Sequence, residues 1–181
     1  MTLNEYQKLA MRTCCIPYEN KKDLLRHAVF GLCSEAGEIA ELVEKARPWM
    51  LIDITHFKKE LGDCCWMIAE AATALDIEMN DLFVNPNMGY FSNDIVAAVF
   101  NIQSKAGVVA GLLQKEYQGH EFKTTSASLA LGECLVTIGR VCELSGFSLR
   151  EVMQLNFDKL RARFPEGFDP DKSLHRAAGD I

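Results

Sequence analysis

The chain has 181 residues, 49% of them apolar and 24% charged, and a formal net charge of −6. That is the balance of a globular protein long enough to bury a real core. A net negative chain offers no basic field to duplex DNA or RNA, and a small anionic substrate would need a metal or a few well-placed basic side chains.

In chain order, Thr2–Thr13 is predicted as a short amphipathic helix with Leu3, Tyr6, Leu9 and Ala10 on one side. Its Gln7 reads as a surface residue in preference to a base contact. Pro17 and Asn20 mark a loop. A long helix is predicted over Lys22–Arg47 and ends where Pro48 cannot continue it. A second helix is predicted over Thr55–Leu75, and a short one over Glu78–Phe83, ended by Asn85-Pro86-Asn87. A last helix starts near Ser148, the N-cap of Ser148-Leu149-Arg150-Glu151. The tail from Glu166 is rich in loop residues, and two readings stand equal: Ser173 and Arg176 folding over a ligand, or a loose terminus.

The two long helices each carry two acidic residues three positions apart: Glu35 and Glu38, then Glu60 and Asp63. A step of three puts both on one helix face, about 60° apart around the axis. Such a pair is often a solvated face, but here the flanks are apolar: Val29-Phe30-Gly31-Leu32-Cys33 before one, Cys64-Cys65-Trp66-Met67-Ile68-Ala69 after the other. Gly37 and Gly62 each cost about 1 kcal/mol inside a helix, which points to close backbone packing at a crowded site. Two antiparallel helices would face four carboxylates towards each other, and these repel unless a cation sits between them. Mg²⁺ fits that role, with Mn²⁺ as a substitute.

The pattern Glu-x-x-Glu, spacer, Glu-x-x-Asp, with its flanks Ser34-Glu35-Ala36-Gly37-Glu38 and Glu60-Leu61-Gly62-Asp63-Cys64-Cys65-Trp66, resembles the signature of MazG-like nucleotide pyrophosphohydrolases. These belong to the all-α NTP pyrophosphatase superfamily, which includes the dimeric dUTPases. The resemblance implies metal ligation by Glu35, Glu38, Glu60 and Asp63, one of which also orients a water. It implies cleavage of a (d)NTP between the α and β phosphates to a (d)NMP and pyrophosphate. Asn156, Lys159 and Arg163 fall at i, i+3 and i+7 on one face near the end of the last helix. Cations there suit the helix dipole, but the segment also resembles the family's Asn-x-x-Lys-Leu-x-x-Arg stretch, which implies contacts to metal-bound phosphates.

The second half of the chain repeats the first. Ser34-Glu35-Ala36-Gly37 aligns with Ser104-Lys105-Ala106-Gly107, and Leu61-Gly62-Asp63-Cys64 with Leu131-Gly132-Glu133-Cys134, both at an offset of 70. Phe30/Phe100, Leu42/Leu112, Lys45/Lys115 and Ile68/Ile138 keep the same offset. A tandem duplication of one helical hairpin, about 22–85 and 92–155, is therefore expected within a single domain over 1–181. The expected fold is all-α: a four-helix-bundle core built from the two hairpins, with a short N-terminal helix and a C-terminal helix plus tail. Family members often build that core from two subunits, so the chain resembles a fused pseudo-dimer, with homodimerisation left open. At the four acidic positions the second copy has Lys105, Val108, Ala130 and Glu133, so one working site per chain is expected, with Lys105 more a solvated cation than a ligand substitute.

Seven cysteines, two adjacent pairs among them and no Cys-x-x-Cys, argue for free thiols filling apolar helix faces. Met1–Ala10 is too polar for a signal peptide, and no apolar run approaches the roughly 20 residues of a membrane span. A cytoplasmic protein acting on a nucleoside triphosphate, without membrane or duplex nucleic acid as partner, is the expectation. A ferritin-like di-metal bundle needs Glu-x-x-His, which is absent. A catalytically silent helical interaction module that retains a metal site is the alternative. The preferred base and sugar are not legible, although Trp49, Tyr18 and Phe30 are aromatic candidates for stacking.

Overall fold

The computed structural model describes residues 1–46, 51–83 and 93–175. Over these the chain is all-helical: α1 (Leu3–Ala10), α2 (Lys21–Ala46), α3 (Ile54–Ala74), α4 (Ile95–Tyr117), α5 (Thr124–Leu144), α6 (Leu149–Arg163) and α7 (Pro170–Leu174). Two 3₁₀ turns, Met11–Thr13 and Met79–Phe83, complete it. The turn expected at Arg47-Pro48, the stop at Asn85-Pro86-Asn87, Trp49 and Arg176 lie outside the described residues.

Local chemistry accounts for the boundaries. The Ser148 hydroxyl accepts from Glu151 N at 3.2 Å, and the Glu151 carboxylate accepts from Ser148 N at 2.7 Å, a reciprocal cap for α6. Thr2 and Glu5 do the same for α1. Asp53 Oδ1 caps α3 by accepting from Thr55 N and His56 N at 3.0 and 3.1 Å.

The duplication is visible in three dimensions. Helix α5 begins and ends 70 residues after α3. Both finish in a Schellman turn: Ile77 N donates to Ala72 O at 2.9 Å, and Phe147 N to Cys142 O at 3.1 Å. The left-handed residue is Asp76 in one (φ 56°) and Gly146 in the other (φ 82°). Asp76 meets the conformational cost with a side chain held by Lys21 Nζ at 2.7 Å.

Hairpins α2–α3 and α4–α5 pack as a four-helix core, α2 against α4 and α3 against α5. Leu61, Leu131, Cys64, Cys134, Ile68 and Ile138, which pair at the repeat offset, are all buried in it. The hairpins exchange their C-terminal extensions. After α5, helix α6 crosses back onto α3; after α3, the 3₁₀ turn Met79–Phe83 lies on α5. The hairpins are thus interlocked, and α6 is brought beside the acidic residues of the first.

One expectation is corrected. By length and composition α4 does reach the range of a membrane span, with a mean hydropathy of 1.5 over its most apolar window. Part of that apolarity serves the bundle, where Ala98, Val99, Ile102, Ala106, Val109 and Leu113 face the core, while Phe100 and Val108 are exposed.

Candidate metal centre and cleft

Antiparallel pairing of α2 and α3 turns their acidic edges together. Carboxylate oxygens of Glu35, Glu38 and Glu60 lie within 4.8 Å of one another. Glu60 is only 4% exposed, Glu35 is partly buried and Glu38 is exposed. Burial, then the charges of Asp63, Glu38 and Glu60, push the Glu35 carboxyl up to about 8, and it hydrogen-bonds Glu60. Burial and the charges of Asp63 and Glu38 also raise Glu60, against the pull of its Glu35 hydrogen bond and of His56, whose Nε2 lies 2.8 Å from Glu60 Oε1. A carboxyl such as Glu35, whose proton is held by burial and then by neighbouring anions, will yield it to a cation. The donors are all hard oxygens, so the residues fit Mg²⁺ or Mn²⁺.

Asp63 behaves differently. Lys159 Nζ lies 2.5 Å from its Oδ2 and 2.7 Å from its Oδ1, and Asn156 Nδ2 donates to Oδ1 at 2.7 Å. Three of the four expected ligands therefore form one cluster, and the fourth is neutralised by a lysine from α6.

Gly62 makes this approach feasible. A Cβ there would sit 2.9 Å from Asn156 Cβ and 3.3 Å from the Val152 carbonyl oxygen, so α6 lies directly on the α3 backbone. At Gly37 a Cβ would meet nothing within 4 Å, so the close packing expected at both glycines holds at Gly62 alone. Asn156 departs from the expectation of a phosphate contact. It is 1% exposed, its Oδ1 accepts from Tyr6 OH at 2.8 Å, and its Nδ2 donates to Asp63. It is a strut behind the site, set by the buried Tyr6 of α1.

Lys159 and Arg163 do line the cleft, of about 320 Å³, together with all four acidic residues. Aromatic residues also line it, Trp66, Phe164 and Phe168, together with Ser173 of α7. Trp66 Nε1 donates to Ala10 O at 2.9 Å, which pins the ring from behind. Tyr18 and Phe30 are not part of this lining. Tyr18 OH donates to Met11 O, and Phe30 is 63% exposed on the outer face of α2.

A buried acid, Glu70, was not expected from the sequence. It accepts from His27 Nδ1 at 2.8 Å and from the Cys14 thiol at 3.2 Å, and it is fully buried. The Glu70 hydrogen bond holds the His27 imidazole above its ordinary pKa against desolvation. His27 also lines the cleft, edge-on to Trp66. The signal was a lone acid inside Ile68-Ala69-Glu70-Ala71-Ala72, two turns beyond Asp63 on the same face. Gln7 likewise is no loose surface group: its amide joins Thr73 Oγ1, Ile77 O and Met79 N, tying α1 to the end of α3.

In the second hairpin Lys105 forms an ion pair with Glu133. These residues stand where Glu35 and Asp63 stand in the first, beside the exposed Val108 and the buried Ala130. Lys105 is thus engaged, not simply solvated.

Comparison with family models, with characterised proteins and with solved structures returns no match. The site therefore speaks through its own geometry. An acidic cluster, two cations and three aromatic rings line one cleft. Such a cleft suits a molecule with a polyanionic end and a flat apolar end.

Proposed function

We propose that the chain is a Mg²⁺-dependent nucleoside triphosphate pyrophosphohydrolase, releasing a monophosphate and pyrophosphate. The observation that carries this is the meeting, in one cleft, of the Glu35–Glu38–Glu60 cluster with Lys159 and Arg163. Glu35, Glu38, Glu60 and Asp63 would hold the metal, which supplies charge neutralisation and Lewis-acid polarisation of the phosphate chain. Lys159 and Arg163, from α6, bind the phosphates beside the metal. Their cationic ends match charge that grows on the leaving pyrophosphate, which favours the transition state over the ground state. Glu35 or Glu38 orients the attacking water and accepts its proton as the new P–O bond forms and the bridging P–O bond breaks. Trp66, Phe164 and Phe168 give a nucleobase its apolar surface. The choice of α–β cleavage comes from the family resemblance of the acidic motifs. A reducing cytoplasm is the setting that suits seven unpaired cysteines.

The test is to incubate the protein with Mg²⁺ and a panel of natural and damaged dNTPs and to resolve the products. Pyrophosphate with a monophosphate is expected. Orthophosphate with a diphosphate would overturn the reaction assignment, and no turnover of any triphosphate would favour the silent module.

A further inference from the structure

We propose that Lys159 is a tethered competitor for the metal ion, an inference that rests on the metal-site reading of the acidic cluster. It holds Asp63 in the metal-free protein, gives that carboxylate up when a divalent cation binds, and turns its ammonium to the phosphate chain.

Asp63 has little to offer a cation as it stands. Both of its oxygens face Lys159 Nζ, at 2.5 and 2.7 Å, and Oδ1 also accepts from Asn156 Nδ2 at 2.7 Å. A carboxylate bound so fully has few lone pairs free, and an ammonium beside it repels a second cation. Asp63 completes a ligand set only if one partner leaves.

The two partners are not equally free to leave. Asn156 is locked by Tyr6 OH behind it and by its Cβ against the Gly62 backbone. Lys159 hangs on a flexible four-carbon stem with a point charge at its end. Its side chain is 11% exposed and lines the cleft, so the ammonium can move without entering apolar packing. Lysine is the partner that moves, and the amide is the one that keeps Asp63 aimed.

The second hairpin supplies an independent observation. Glu133, the repeat equivalent of Asp63, is also neutralised by a lysine, Lys105, which comes from α4 and not from the helix that carries Lys159. Two unrelated lysines thus serve equivalent acids. In the half without a ligand cluster the lysine stands where a ligand would be, so no assembled set of acids offers Glu133 a competing cation. In the half with the cluster it comes from outside the four acidic positions and is exchangeable. The position calls for a cation in both halves.

Cation and triphosphate should therefore bind with positive coupling. Without substrate, the cation must displace an ammonium with no other anion to join. With a triphosphate present, the displaced ammonium has one, so each ligand tightens the other by the same factor.

The experiment is calorimetric titration of the full-length protein with Mn²⁺ alone, then in the presence of a non-hydrolysable triphosphate analogue. Lys159→Met keeps the stem and removes the charge; Lys159→Gln is the second variant, and circular dichroism checks that each is folded. Mn²⁺ alone is expected to bind either variant at least about fivefold tighter than wild type, equivalent to about 1 kcal/mol. The analogue should tighten Mn²⁺ binding in wild type much more than in the variants. In an Asp63→Asn background the gain from Lys159→Met should vanish, which a general loss of packing would not produce. Unchanged or weaker Mn²⁺ binding by folded variants overturns the proposal and leaves the metal site standing. A wild-type protein that binds no Mn²⁺, with or without the analogue, removes the metal site itself.

Discussion

Alanine at the two motif glycines gives opposite outcomes, and each can be worked from the structure. At Gly37 an added Cβ meets nothing within 4 Å. Gly37→Ala therefore gains helix propensity alone, about 1 kcal/mol, which raises Tm by about 2–4 °C in a protein of this size. At Gly62 the same gain is opposed by contacts at 2.9 Å to Asn156 Cβ and 3.3 Å to the Val152 carbonyl oxygen. One of these is backbone of the facing helix, so α6 must back away. Overpacking of that kind costs about 1–3 kcal/mol, so the net change at Gly62 runs from about neutral to 2 kcal/mol destabilising. The displacement also draws Asn156 off Asp63 and moves Lys159 and Arg163 away from the phosphates, so Gly62→Ala should lose turnover where Gly37→Ala keeps it. Urea unfolding followed by circular dichroism reads the stabilities, with unchanged m-values as the check on comparability. Stabilisation by both substitutions, or an equal loss in both, would refute the claim that α6 rests on the α3 backbone.

Because Glu35 is held up to about 8 in the fold but titrates near 4.5 when exposed, the metal-free protein should lose stability as pH rises between those values. Glu35→Gln should flatten that fall in thermal melts run across the range, and parallel slopes would assign the dependence elsewhere. Asp63→Ala should abolish triphosphate turnover, while Glu133→Ala, which breaks a half-exposed ion pair worth less than about 1 kcal/mol, should change it little; equal losses would make the second hairpin catalytic. Lys159→Ala should lower kcat/KM at least about tenfold, or about 1.4 kcal/mol of transition-state binding, with partial recovery in Lys159→Arg; wild-type kinetics would return the lysine to a helix-capping role. His27→Ala should leave the buried Glu70 with the Cys14 thiol as its remaining side-chain partner and destabilise the fold by about 3 kcal/mol, the low end for a broken buried pair because the gap opens on solvent; an unfolding midpoint within error of wild type would show that the thiol is support enough.

Features governed by local rules are legible in the sequence. The break at Pro48 and the apolar pattern place α3 only one residue late at each end, and the repeat places α5, because these signals are written in the sequence itself. The acidic cluster is legible for the same reason: two i, i+3 pairs on helices joined by a turn must face each other. Contacts between residues far apart in the chain are not legible. Nothing in Asn156-Phe157-Asp158-Lys159 says whether its amide points into the cleft or back to Tyr6. That choice is set by α6 crossing from the second hairpin to the first, which no local pattern encodes. The two glycines have identical local settings, each just before an acid, and differ only in what another helix brings near. Glu70 is marked only by its place as a lone acid in an apolar run, and that mark does not name its partner, because His27 lies 43 residues away.

The exchange of elements between the hairpins also sets the order in which the site is made. Asp63 and Lys159 are 96 residues apart. At a synthesis rate of about 5–20 residues per second, the acidic hairpin leaves the ribosome roughly 5–20 s before its lysine. For that interval the nascent chain holds four carboxylates without the ammonium that later restrains one of them, and α3 without the helix that covers Gly62. Closure by α6 is therefore the late, long-range step of folding, and it turns an acidic hairpin into a finished cleft.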